Sequence, residues 1–220
     1  MSLVNKMQSS VLHKMRLNKH KVFYVCSYGG CGSKMLCQYL SHFGTVKHVH
    51  SRNPPQQLTH IGTRDEWFSS IPIPINELSS YYVIYIYRDP VKAIQSRFHD
   101  PTHLAHIQIN PSITLEQVIE RKQDLYGIEN FFDNYTTYGY KQRNYTYIQR
   151  NYKLYCVKYE NLFTNMEEFN RVLNITCNDK SLYPVEKTRE KPASNEALAL
   201  EHIYAPLKQR MAKMPFITVV

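Results

Sequence analysis

The chain has 220 residues, 43% of them hydrophobic, which supplies one sizeable core and argues against a disordered polymer. Lys and Arg outnumber Asp and Glu by 27 to 18, a net charge of +9. That surplus suits an anionic partner: a nucleotide, a nucleic acid, a sulfated or phosphorylated polymer, or a membrane surface.

No apolar run approaches the roughly 20 residues of a membrane-spanning helix. The basic start MSLVNKMQSSVLHKMRLNKHK lacks the apolar centre of a secretory signal, so the expectation is a cytoplasmic protein. Residues 1–20 read as an extension and 21–220 as one domain. Five cysteines, Cys26, Cys31, Cys37, Cys156 and Cys177, form no CxxC pair and no Cys/His zinc spacing, so reduced thiols and no metal are expected. The sequons at Asn134, Asn144 and Asn174 arise easily in a chain rich in Asn.

In chain order, VFYVCS (22–27) is a near-continuous apolar run, as in a parallel strand buried on both faces. A glycine-rich turn follows. Residues 34–43 carry Met35, Leu36, Tyr39, Leu40 and Phe43 at helical spacing, and Gly44 is placed to stop that helix. TVKHVH (45–50) alternates like a short strand until RNPPQQ breaks it. Residues 66–80 read as loop or short helix. YYVIYIY (81–87), β-branched and aromatic throughout, is the strongest strand signal. Asp89 and Pro90 then cap and open a helix over 90–98. A longer helix is predicted over 114–133, a strand and turn over 153–162, and helices near 165–173 and 195–213. Strands alternating with helices predict an α/β fold, a single three-layer domain with a mostly parallel central sheet.

Two constellations carry chemistry. The loop Tyr28-Gly29-Gly30-Cys31-Gly32-Ser33-Lys34 lies between a buried strand and a helix. Its glycines let backbone N–H groups turn toward an anion, and the helix behind it adds a dipole and unpaired N–H groups. Ser33 supplies a hydroxyl and Lys34 a positive charge. The bland reading of the same residues is a tight strand-to-helix turn. The second constellation is Arg88-Asp89-Pro90 with Ser96. An arginine at the carboxyl end of a buried strand lies where open α/β sheets bind ligands, and a guanidinium fork plus a hydroxyl can share one phosphate. Taken alone, Arg88 can equally pair locally and Ser96 can be helix surface.

Together these motifs make the sequence resemble the sulfotransferases that use 3′-phosphoadenosine-5′-phosphosulfate. In that family a strand–loop–helix of the type Pro-Lys-Ser-Gly-Thr-Thr holds the 5′-phosphosulfate. Gly29, Gly30, Cys31, Gly32, Ser33, Lys34 and Met35 occupy that place here. The family's second motif is a strand ending in Arg, then Asn/Asp-Pro, then Ser eight residues after the Arg; Arg88 and Ser96 match it and would bind the 3′-phosphate. CVKYENLFTNMEEFNRVLNI (156–175) resembles the family's strand, Tyr-Glu-Asp-Leu and helix. The likeness touches residues 22–50, 81–99 and 153–175 in the family's order. Gly30 stands where many members carry Lys or Arg, and Lys34 is the substitute within reach. Lys187 and Arg189, in EKTREKP, either stand for the family's C-terminal phosphate segment or form a solvated charge run.

The resemblance implies a P-loop-type domain that passes sulfuryl to a hydroxyl on a glycan, a tyrosine or a small molecule and leaves 3′,5′-adenosine bisphosphate. No metal is implied, and neither nucleic acid nor a membrane is expected as partner. Such transfer needs a base for the acceptor hydroxyl. The strand after the loop's helix ends in KHVHSR, with His48 and His50 on one face, and their titration range suits the role. Counting from Gly32 favours His50; His99 is a third candidate, and Arg52 is placed to orient an acidic acceptor. The tyrosines at 135–155 line an acceptor pocket or simply pack. A magnesium-dependent kinase would need Gly-Lys-Ser/Thr and a metal-binding carboxylate, which the loop lacks. A non-catalytic anion-binding module of the same fold is the remaining alternative.

Overall fold

The computed structural model describes residues 21–54, 81–97, 102–136, 152–186 and 194–220. The predictions for residues 1–20 and 66–80, and for His99, Lys187, Arg189 and Asn144, fall outside these residues. The fold is α/β. Four parallel strands, β1 (Val22–Cys26), β2 (Thr45–Val49), β3 (Tyr81–Tyr87) and β4 (Leu154–Lys158), form a sheet with a fifth, β5 (Ile217–Val219), antiparallel at the edge. The strand order is β2-β1-β3-β4-β5.

Apolar layers cover both faces of the sheet. Tyr24, Cys26, Val83, Tyr85 and Tyr87 enter one core cluster, and Phe23, Val25, Tyr82, Ile84 and Ile86 enter the other. Alternate residues of β1 and β3 thus point to opposite layers. This is why both strands read as continuous apolar runs rather than alternating ones. β3 is buried at all seven positions, and each large side chain so buried contributes about 1.5–3 kcal/mol.

Eight helices are described. α1 (Ser33–Leu40) packs on the second layer. α2 (Pro90–Arg97), α3 (Thr102–Ala105), α4 (Leu115–Arg121) and α5 (Ile128–Thr136) belong to the first. α6 (Tyr159–Leu162) and α7 (Met166–Val172) follow β4 onto the second layer, and α8 (Asn195–Lys213) returns to the first and packs against α2.

The structure departs from the sequence reading in four places. The helix predicted over 114–133 is two helices. Lys122 turns left-handed at φ 52°, and both Asp124 carboxylate oxygens accept from the first amides of α5, Ile128 N at 3.1 Å and Glu129 N at 2.8 Å. A side-chain cap on the second segment outweighs continuous helical periodicity. Gly44 does not serve as a left-handed cap. It is needed because a Cβ there would stand 2.6 Å from the Lys21 carbonyl oxygen, where the chain enters β2. α3 and β5 were not anticipated, since each has too few residues to show a period.

Candidate functional site

The sheet order reverses direction at β1. From β1 the chain crosses to β2 on one side, and β3 pairs on the other. In open parallel sheets such a switch point leaves a crevice outside the strand ends, because successive connections leave on opposite sides. The glycine loop follows β1 at this switch point, and Arg88 stands directly after β3 beside it.

The loop is shaped by residues that only glycine can replace. Gly29, Gly30 and Gly32 have φ of 111°, 66° and 77°. A Cβ on Gly29 would collide with the Arg97 guanidinium, one on Gly30 with the Ala93 carbonyl oxygen, and one on Gly32 would lie 2.5 Å from the Tyr159 ring. Ala93 and Arg97 are four residues apart on α2, so one face of that helix lies on the loop. The left-handed backbone carries the chain into α1 with no side-chain cap at Gly32.

Two guanidinium groups bracket the loop. Arg88 Nη1 donates to the Gly30 carbonyl at 3.3 Å, and the group lies 4.5 Å from the centroid of the Tyr159 ring, a cation–π contact. Arg97 donates to the Tyr28 carbonyl at 2.9 Å and to the His103 carbonyl at 3.2 Å. Burial lowers its ionisation from the ordinary arginine value, yet it remains a cation at neutral pH. The Nε atoms of both arginines are buried without a hydrogen-bond partner among the described residues. An unspent buried donor costs free energy that an anion would recover.

A hydroxyl relay leads out of the loop. Ser27 Oγ donates to Ser33 Oγ at 2.9 Å, and Ser33 Oγ lies 3.0 Å from His48 Nε2. Ser33 Oγ can accept from Ser27 and still exchange a hydrogen bond with His48 Nε2, as donor or acceptor according to the imidazole tautomer. Ser33 is only 7% exposed. The His48 and His50 rings lie 4.3 Å apart, His50 and His106 6.2 Å, and His106 and His103 6.0 Å. A row of imidazoles therefore runs from the loop to α3, and His103 Nδ1 lies 3.0 Å from the Arg97 carbonyl.

The structure thus brings together Gly29, Gly30, Cys31, Gly32, Ser33, Arg88 and His48, with His50 one ring further out. Cys31 donates to the Gly29 carbonyl at 3.0 Å, and burial first, then the Glu160 charge, pushes its thiol up to about 12. It is a neutral part of the loop wall rather than a nucleophile. Lys34 is exposed on α1, Met35 is half-buried, and Ser96 is exposed on α2. Arg52 Nε donates to Asn130 of α5 at 3.0 Å. Tyr135, Tyr152 and Tyr155 are core residues, and Tyr138, Tyr140, Tyr145 and Tyr147 lie outside the described residues. None of the five cysteines is in a disulfide.

Arg97, Tyr159 and Ser27 were missed as site residues. Arg97 and Tyr159 come from elements remote from the loop in sequence, so only the packing of α2 and α6 reveals them. Ser27 had a local signal: a polar residue closing an apolar strand just before the glycines. Among the described residues no group of three or more His, Cys, Asp or Glu side chains is arranged to hold a metal, and no helix is long and apolar enough to cross a membrane. No protein-family model matches the chain, and neither a curated protein nor a solved structure is similar enough to it to count as a match.

Proposed function

We propose that this chain is a sulfotransferase of P-loop type, moving sulfuryl from 3′-phosphoadenosine-5′-phosphosulfate to a hydroxyl acceptor. The observation that carries the reading is the pair of arginines at the glycine loop, each with a buried Nε donor unspent, at the switch point of the sheet. Left-handed glycines, a helix N-terminus and two guanidinium groups suit a ligand with more than one anionic group.

The donor, when bound, supplies an activated sulfuryl group on a phosphate that leaves as 3′,5′-adenosine bisphosphate. The backbone N–H groups of Gly29 to Ser33 and the first turn of α1 hold the phosphosulfate end. Arg88 neutralises phosphate charge, and the Tyr159 ring keeps its guanidinium flat against the loop. Lys34, at the second residue of α1, brings a mobile positive charge to the leaving side. Ser96 and the segment with Lys187 and Arg189 serve the 3′-phosphate. His48 accepts the acceptor proton at Nε2, where it now shares a hydrogen bond with Ser33, and His50 stands behind it.

One further feature favours this reading over a magnesium-dependent phosphotransferase. Asp89, the carboxylate at the end of β3, caps α2 through Lys92 N at 3.0 Å and pairs with Lys208 at 2.8 Å. Its oxygens are occupied structurally rather than turned toward the loop.

The test is calorimetric titration with 3′,5′-adenosine bisphosphate beside magnesium-ATP. Micromolar binding of the bisphosphate, with ATP at least tenfold weaker, is the expected result. Preference for magnesium-ATP overturns the donor assignment. Binding of neither leaves the loop as a turn.

A further inference from the structure

The N-terminal end of α2 opens on a second cleft, of about 210 Å³, at the carboxyl ends of β3 and β4 and closed from above by α8. Its walls include Pro90, Met211 and Ala212, and its rim carries Lys92, Lys158 and Lys208. Two carboxylates also line it, but both are committed. Asp89 caps α2 and pairs with Lys208, and Glu160 accepts from the Asp89 backbone N–H at 2.9 Å. Lys208 also pairs with Glu201. Lys92 and Lys158 have no side-chain partner among the described residues.

Tyr87, at the end of β3, is among the residues that line the cleft. Its side chain is 2% exposed, its ring is stacked on Tyr85 and edge-on to Phe132, and its hydroxyl has no hydrogen-bond partner among the described residues. A phenol buried to this degree normally finds a partner, because leaving it unpaired costs about 1–3 kcal/mol relative to water. Burial raises its ionisation above the ordinary tyrosine value, and the nearby Cys156 and Glu160 add to this. The hydroxyl therefore keeps its proton and can donate.

We propose that this cleft is a second ligand site, separate from the glycine loop, for a small organic anion: a phosphate, sulfate or carboxylate group carried on a ring. The Tyr87 hydroxyl and the Lys92 and Lys158 ammonium groups take the anion, and the Pro90, Met211 and Ala212 walls take the ring. The helix dipole is not the attraction here, since Asp89 already caps α2. The loop rests on Ala93 and Arg97, and the cleft opens at Pro90. Seven residues of helix, on the order of 10 Å, separate Pro90 from Arg97, and Arg88 points to the loop while Tyr87 points into the first core layer.

The probe is phenyl phosphate, titrated calorimetrically into the full chain beside inorganic phosphate. Phenyl phosphate should bind at least tenfold more tightly than inorganic phosphate. Y87F, K92M and K158M should each weaken it about tenfold, the size of one lost charge-assisted bond. R88A should leave it unchanged, whatever that variant does to the loop. Y87F should melt no lower than the wild type, since its buried hydroxyl has no partner to lose. The proposal is overturned by absence of millimolar binding, by equal affinity for inorganic phosphate, by wild-type affinity in Y87F, K92M and K158M, or by loss of binding in R88A alone.

Discussion

The two ends of α2 meet the sheet in opposite ways. At the C-terminal end, Ala93 and Arg97 press on a loop whose three glycines have left-handed backbones, and positive charge comes from arginines with donors to spare. At the N-terminal end, positive charge comes from lysines, one of them neutralised by Asp89 and Glu201, and the backbone is ordinary helix with a capping carboxylate. The first end is built around backbone amides and planar cations, which suits a rigid, multiply charged anion. The second is built around a phenol and flexible ammonium groups over apolar walls. Neighbouring strand ends therefore present different chemistry, because one connection is glycine and the other begins with Asp-Pro.

The comparison breaks most sharply at Gly30. Gly30→Ala sets a Cβ against the Ala93 carbonyl oxygen in a left-handed backbone. It should cost about 2–4 kcal/mol of stability, read as the denaturation midpoint. Under the proposed function, His48→Ala should lower sulfuryl transfer by about 10²-fold with adenosine bisphosphate affinity nearly intact, and His50→Ala should cost less, because His48 holds the Ser33 contact. Steady-state rates with both variants check this; a larger loss in His50→Ala would move the base one ring outward. Arg88→Ala should weaken bisphosphate binding by roughly 1.5–3 kcal/mol in calorimetry.

Alkali loads the loop end through its buried thiol. The Cys31 thiol is raised from 9.0 to about 12 in the folded chain. The unfolded chain therefore releases this proton first. The stability due to this thiol is complete below pH 9 and falls as pH rises toward 12, by about 1.4 kcal/mol per pH unit. Denaturation curves across that window should be shallower in Cys31→Ala by that one-proton slope, the other buried thiols and phenols keeping theirs. The smallest effect belongs to Tyr87→Phe. With a buried, unpaired hydroxyl removed, its stability should equal or exceed the wild type's, while binding in the cleft falls.

Much of this architecture is legible in the chain. β3 is plain from seven consecutive β-branched and aromatic residues, and the last helix, expected near 195–213, spans Asn195–Lys213. The loop is legible because glycine spacing after an apolar strand has few other uses. Arg52 was misleading: a cation two residues past a histidine looked like part of the site, and instead it spans to Asn130. The break at residues 122–127 was hidden because its cause is a side-chain cap from Asp124, also held by Tyr204 of α8 at 2.7 Å.

The sequence by itself determined the four parallel strands, their alternation with helices, the glycine loop and the arginine that ends β3, since these rest on local periodicity and backbone freedom. Only the tertiary structure decided that Arg97 and Tyr159 close on the loop, that His48 rather than His50 reaches Ser33, and that Tyr87 lines a cleft. Those contacts join residues 15 to 127 positions apart, and their geometry is set by how α2, α6 and α8 pack on the sheet, which no local pattern encodes.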